Sequence, residues 1–136
     1  MAIAQVARNY RNAAVKTATP GQLVLMLFDG ALRNLATALA GFKIEAVGAR
    51  IEQINNHLLK AQAILRELQT SLDRNAGGEF AGRMWALYDF MLEHLRIANL
   101  KKDPEPIRVV EKLVGEVRDA WATMLSQNLP ENPYGP

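Results

Sequence analysis

The sequence predicts an all-α protein: an antiparallel up-down four-helix bundle led by a short N-terminal helical arm. Three observations predict it. Four long segments repeat apolar residues at alternating steps of three and four, the rhythm of a helix with one buried face. The breaks between them are short and rich in glycine, proline, asparagine and aspartate, so consecutive helices must fold back on one another. The chain has 136 residues, 49% apolar and 22% charged, enough for one domain with a sizeable core. The expected organisation is an arm over 1–18, a bundle over 19–125 and a disordered tail over 126–136.

The arm carries Ile3, Val6 and Tyr10 at helical spacing, among Gln5, Arg8, Asn9 and Arg11. Three apolar side chains are too few to hold an isolated helix. Such a segment gains order only by docking its stripe on something else.

The stretch 17–42 organises the rest. Thr19 suits an N-cap, Pro20 takes the first helical position, and Gln22 stands three residues after Thr19, which completes a capping box. Leu25, Phe28, Leu32, Leu35, Leu39 and Phe42 form one apolar stripe. Val24, Leu27, Ala31, Asn34 and Ala38 form a second, about 100° round the helix. Met26, Asp29, Arg33 and Thr37 are left facing outward, with Asp29 and Arg33 spaced for an i,i+4 ion pair. A helix this apolar needs neighbours on two sides.

Gly41 and Gly48 bracket a frayed end and loop. The second helix, over 49–72, has Ile51, Ile54, Leu58, Ala61, Leu65, Leu68 and Leu72 on its stripe. Its opposite face carries Glu52, Asn56, Lys60 and Glu67, with Leu59 as an apolar exception. Asp73, Asn75, Gly77 and Gly78 form a turn, where a glycine can take a left-handed conformation. The third helix, over 79–100, has a main stripe of Ala81, Met84, Tyr88, Met91, Leu95 and Ala98. Beside it runs a second, Leu87, Phe90, His94 and Ile97, with Trp85 and Leu92 as a further flank. Asp103 then caps a last helix from Pro104 to about residue 125, with Ile107, Val110, Val114, Val117, Trp121 and Met124 inward.

Composition excludes several classes of function. There is no cysteine, so disulfides and thiolate metal sites are out. The net charge is only +2, basic and acidic residues interleave, and Lys101–Lys102 is the sole adjacent basic pair, which argues against nucleic acid as a partner. No apolar run approaches the ~18 residues of a membrane span. The N-terminus lacks the apolar core of a signal peptide, so the expectation is a cytosolic protein without membrane insertion. His57 and His94 are the only histidines. Neither belongs to the Glu-x-x-His pattern of carboxylate di-metal bundles, and both read as structural or solvated. A Gly-x-Ser-x-Gly elbow and a P-loop are also missing. The expectation is therefore a binding protein with no catalytic residues, metal or cofactor.

Three features point to binding. The first and third helices carry doubled stripes, which could equally be used inside the bundle. Apolar residues stand off the main faces. The arm could cover an apolar groove or simply be a free end. The candidate partner-binding residues are Ile3, Val6 and Tyr10 of the arm, with Val24, Met26, Leu27, Ala31, Leu59, Ile64, Leu87, Phe90 and Ile97 of the helices.

The order of residues resembles a known family. Tyr10 and the run Val15-Lys16-Thr17-Ala18-Thr19-Pro20-Gly21-Gln22-Leu23-Val24-Leu25-Met26-Leu27-Phe28-Asp29-Gly30-Ala31-Leu32 are similar to the N-terminal signature of the flagellar export chaperones of the FliS family. Lys60-Ala61-Gln62, Glu67-Leu68 and Ser71-Leu72-Asp73 resemble its second helix. Gly77-Gly78-Glu79, Leu87-Tyr88-Asp89-Phe90-Met91, Leu95 and Ala98-Asn99 resemble its third. Asp103, Ile107 and Val117-Arg118-Asp119-Ala120-Trp121 resemble its last. The departures are mild: the family commonly has tyrosine at Phe28 and Phe90, and often serine at Thr19.

The resemblance implies a small helical bundle that binds the C-terminal segment of newly made flagellin in the cytosol. It would prevent premature polymerisation and bring its client to components of the flagellar type III export gate. It also implies that the N-terminal arm lies over part of the binding surface and moves aside for the client. The alternative is a self-associating bundle, with the second stripes as a homodimer interface and no export client.

Overall fold

A computed structural model of the chain describes residues 18–127. Its elements are α1 (Pro20–Gly41), α2 (Val47–Thr70), α3 (Arg74–Lys101) and α4 (Pro104–Gln127), with no strand among the described residues. Each helix packs on two others: α1 and α3 both lie against α2 and α4, and neither pair across the diagonal meets extensively. Cross-links fix the directions. Gln53 and His57 of α2 meet Thr37 and Asn34 of α1, so residue numbers rise along one helix as they fall along the other. Asn55 meets Asn99 and Gln69 meets Asp89 on the α2–α3 seam. Gly21 meets Trp121 while Asp29 meets Arg118 between α1 and α4. Neighbours run antiparallel on all these seams.

The start of α1 follows its sequence. Thr19 Oγ1 accepts from the Gln22 backbone N–H at 3.2 Å, and the Thr19 N–H donates to Gln22 Oε1 at 2.9 Å, so the capping box forms. Which side of α1 is buried departs from expectation. Val24, Leu27, Ala31 and Ala38 are sealed in the core together with Phe28 and Leu35, whereas Leu25, Leu32, Leu39 and Phe42 are only partly covered. The nominal second stripe is thus the centre of the buried face, because α1 is wedged between α2 and α4. The same wedge explains its composition. Among the described residues α1 is the one helix long and apolar enough to cross a membrane, which corrects the expectation that no stretch comes close. Here that apolarity is spent on two helical neighbours.

Asp29 does not pair with Arg33. It accepts from Nε of Arg118 on α4 at 2.9 Å, so an expected local pair is replaced by one between helices. His57 is not simply solvated either: its Nδ1 lies 2.9 Å from Asn34 Oδ1 in a partly buried contact, and Asn34 Nδ2 donates to the Gly30 carbonyl.

Arg50 holds the loop after α1 by donating to the carbonyls of Ile44 and Glu45. Ile51, placed on the stripe of the second helix by its spacing, is exposed. A Cβ on Gly41, the last residue of α1, would first meet Ile54, so Ile51 lies a turn beyond the end of α1 and is left 45% exposed.

The first turn of α3 is set off from the rest of the helix by a break. The Gly77 N–H donates to the Asp73 carbonyl, and the break comes at Gly78, with φ 59° and ψ −137°, a conformation open only to glycine. The long helix then runs from Glu79, as its spacing predicts. At its far end Lys102 adopts φ 50° and the Asp103 N–H reaches back to the Ala98 carbonyl, closing α3 with a Schellman-type turn. Asp103 Oδ1 then accepts from the Glu105 N–H and caps α4.

Candidate binding groove

The seam between α3 and α4 is closed on its inner side and open on its outer side. Ala81, Tyr88, Met91, Leu95 and Ala98 of α3 and Ile107, Val110, Val114 and Trp121 of α4 are buried. Next to them, Met84, Leu87, Leu113, Val117 and Met124 are only partly covered. Phe80, Phe90 and Val109 are 53%, 45% and 43% exposed, high values for side chains of this size.

These residues share one seam for a reason of spacing. At one end Phe80, Met84, Glu116, Val117, Ala120, Trp121 and Met124 line a cavity of about 310 Å³, with Phe28 of α1 as its floor. Leu87 follows Met84 by three residues and Phe80 by seven, so it continues the same face of α3. Phe90, His94 and Ile97 extend it by further steps of three and four. On α4, Leu113 and Val109 precede Val117 and Glu116 at the same steps. The opposite flank of α3 is committed to α2: the Trp85 carbonyl accepts from Gln69 Nε2 at 3.1 Å, Asp89 Oδ1 accepts from the same nitrogen at 2.6 Å, and Asn99 bonds Asn55.

Charge is sparse in the groove. Among the described residues Glu116 is the one ionisable side chain lining the cavity. The His94 ring lies against that of Phe90, with centroids 3.9 Å apart, and its Nδ1 donates to the Phe90 carbonyl at 3.1 Å. Farther out on α3, Arg96 hydrogen bonds Glu93 and holds its carboxyl below the usual carboxylate range. On the α1–α4 seam, Arg118 is held more firmly protonated by its hydrogen bond to Asp29. Among the described residues no group of three or more His, Cys, Asp or Glu could hold a metal. What this surface offers is apolar area, aromatic faces and two flexible methionines, which adapt to varied partners.

The expected contact residues divide on this geometry. Leu87, Phe90 and Ile97 share by helical spacing the flank of α3 that continues from Phe80 and Met84; Phe90 is exposed, and Leu87 and Ile97 are partly covered. Val24, Leu27, Ala31 and Ile64 do not reach a surface. They belong to the core, because α1 has helices on both flanks and Ile64 faces the interior of α2. Leu59 is exposed, but it stands one turn from Asn55 on the α2–α3 seam, away from the groove. Met26 is half-buried on α1. Ile3, Val6 and Tyr10 lie outside the described residues. Sequence reasoning missed Phe80, Val109, Leu113, Glu116 and Ala120. A signal existed at Phe80, a large apolar residue off the main stripe directly after the glycine turn, but none singled out Glu116.

A helical bundle that keeps an apolar groove open between two helices belongs to the class of small polypeptide-binding proteins. Known sequences narrow the class. The family model described as flagellar protein FliS matches residues 2–128. The flagellar secretion chaperone FliS of Bacillus subtilis is 39% identical over 121 residues, covering 89% of this chain and 86% of that protein. The protein of the same name from Salmonella typhimurium is 37% identical over 108 residues, 79% of this chain and 78% of its own length. The one from Escherichia coli is 35% identical over 128 residues, 88% and 87%. This chain belongs to the FliS family.

Proposed function

We propose that this chain is a cytosolic flagellar secretion chaperone. It binds the C-terminal segment of flagellin, keeps it from polymerising early and delivers it to the flagellar type III export gate. Its relatives are flagellar secretion chaperones, which supports the role. The observation that carries the binding mode is the open α3–α4 groove. An unstructured client loses conformational entropy when it orders, so the chaperone must offer extended apolar surface in return. A continuous seam with Phe80, Leu87, Phe90, Ile97 and Val109 along it suits an amphipathic helix laid lengthwise.

The arm over 1–18 acts as a removable cover in this reading. Support comes from where it joins the bundle. The Gly21 carbonyl accepts from Trp121 Nε1 at 2.8 Å, and Trp121 lines the cavity, so the chain enters α1 beside the groove's end. A stripe of only Ile3, Val6 and Tyr10 is weak enough for a longer client helix to displace.

The test is co-purification of the chain with a flagellin C-terminal fragment, expected at one to one, together with deletion of residues 1–15. The deletion should raise apolar-dye binding and change client affinity. A chain that fails to retain flagellin refutes the chaperone role. A deletion that changes neither readout refutes the cover.

A further inference from the structure

The cavity at the Phe80 end of the groove has features beyond general greasiness. Its floor is Phe28 and its walls are Met84, Val117, Trp121 and Met124. Its mouth is held open by the small side chain of Ala120, and Glu116 stands one helical turn before Ala120. About 310 Å³ holds roughly ten waters, few of which find polar partners on such walls. Displacing them with apolar side chains is favourable. Three glutamates of these two helices are paired; among the described residues Glu111 and Glu116 are not, and of those two it is Glu116 that lines the cavity. Glu79, Glu93 and Glu105 each pair with an arginine three or four residues on, in Arg83, Arg96 and Arg108. Among the described residues Glu116 makes no ion pair. A lone carboxylate at the rim of an otherwise uncharged pocket selects for positive charge in what docks there.

We infer that this cavity is the specificity pocket of the client contact. It accepts two large apolar side chains on adjacent turns of a client helix, which also presents a lysine or arginine to Glu116. The inference rests on the chaperone reading and adds which part of the groove discriminates among amphipathic helices. The rest of the groove supplies area; this end reads anchor size and charge. Methionine walls allow leucine, methionine or phenylalanine as anchors, whereas an acidic residue near them would face Glu116 and be rejected.

The experiment measures affinity of the full chain for the flagellin C-terminal segment, using Ala120→Trp, Glu116→Gln and Glu116→Lys. Ala120 is exposed, so filling the mouth should leave the melting temperature within about a degree and weaken binding at least tenfold. Glu116→Gln should weaken it about two- to five-fold at low salt, with the difference lost at high salt. Glu116→Lys should cost about tenfold, recovered when the facing lysine or arginine of the client is changed to glutamate. Wild-type binding with all three variants indifferent overturns the pocket and leaves the chaperone role standing. No binding by the wild type overturns the chaperone role itself. A concentration-dependent dimer abolished by Ala120→Trp, with client affinity unchanged, assigns the cavity to a second copy and also overturns the inference.

Discussion

Trp121 Nε1 donates to the carbonyl of Gly21 at 2.8 Å, joining the last helix to the first across 100 residues of sequence. The contact is close because position 21 has no side chain: a Cβ there would lie 2.5 Å from Cδ2 of Leu125. Trp121→Phe should cost about 1–2 kcal/mol, from the lost hydrogen bond and some ring contact. Gly21→Ala should cost about 1 kcal/mol as Leu125 is pushed aside, and become neutral or stabilising in a Leu125→Ala background. Denaturant unfolding of the double-mutant cycle checks this; additivity would mean the two residues do not press on each other.

The Asp29–Arg118 pair lies at a partly exposed seam, its side chains 37% and 33% accessible. A double-mutant cycle with Asp29→Asn and Arg118→Met should give a small favourable coupling that shrinks as salt rises. Asp29 and Arg33 should show none, since the acid is turned toward α4.

Burial pushes the Glu67 carboxyl above the usual range, and its Oε1 is enclosed with no hydrogen-bond partner. A raised folded-state value means the native state binds more protons than the unfolded state in this window. The stability that Glu67 itself contributes is therefore fully present below the unfolded value and is lost as pH rises through the folded one. Glu67→Gln should raise stability at pH 7, seen as a small increase in Tm. The gain should vanish below pH 4. Thermal melts of both proteins across pH 3.5–7.5 read this directly, and a gain that persists in acid would contradict it.

Core and groove should respond oppositely. Leu27→Ala removes a buried side chain and should cost about 2–5 kcal/mol in stability. Phe90→Ala should leave stability within about 0.5 kcal/mol and weaken flagellin binding, measured by melting and titration on the same samples.

The helices were legible in the sequence because their signals are local. Thr19, Pro20 and Gln22 specify one helix start among themselves, and Gly78 marks a break that only its own backbone requires. The α1 stripes were harder, because a period of three and four identifies apolar faces without saying which neighbour covers them. Val24, Leu27 and Ala31 looked like spare surface for that reason, and wedging between α2 and α4 made them core. Leu87, Phe90 and Ile97 look the same in sequence, yet they are not sealed in the core: Phe90 is exposed and the other two are partly covered, because their flank of α3 lies on the outer side of the α4 seam. Ile51 and Asp29 show the same limit: the finish of α1 near Ile54 strands the first, and Arg118, 89 residues away, claims the second. Glu116 had no local signature, since its meaning depends on the cavity walls around it.

The Asn34 carboxamide gives its hydrogens to Gly30, so only its oxygen is turned toward the His57 imidazole. That leaves the ring one compatible tautomer, with its hydrogen on Nδ1. The α1–α2 seam thereby decides which ring nitrogen carries the hydrogen and leaves Nε2 as the acceptor of the pair.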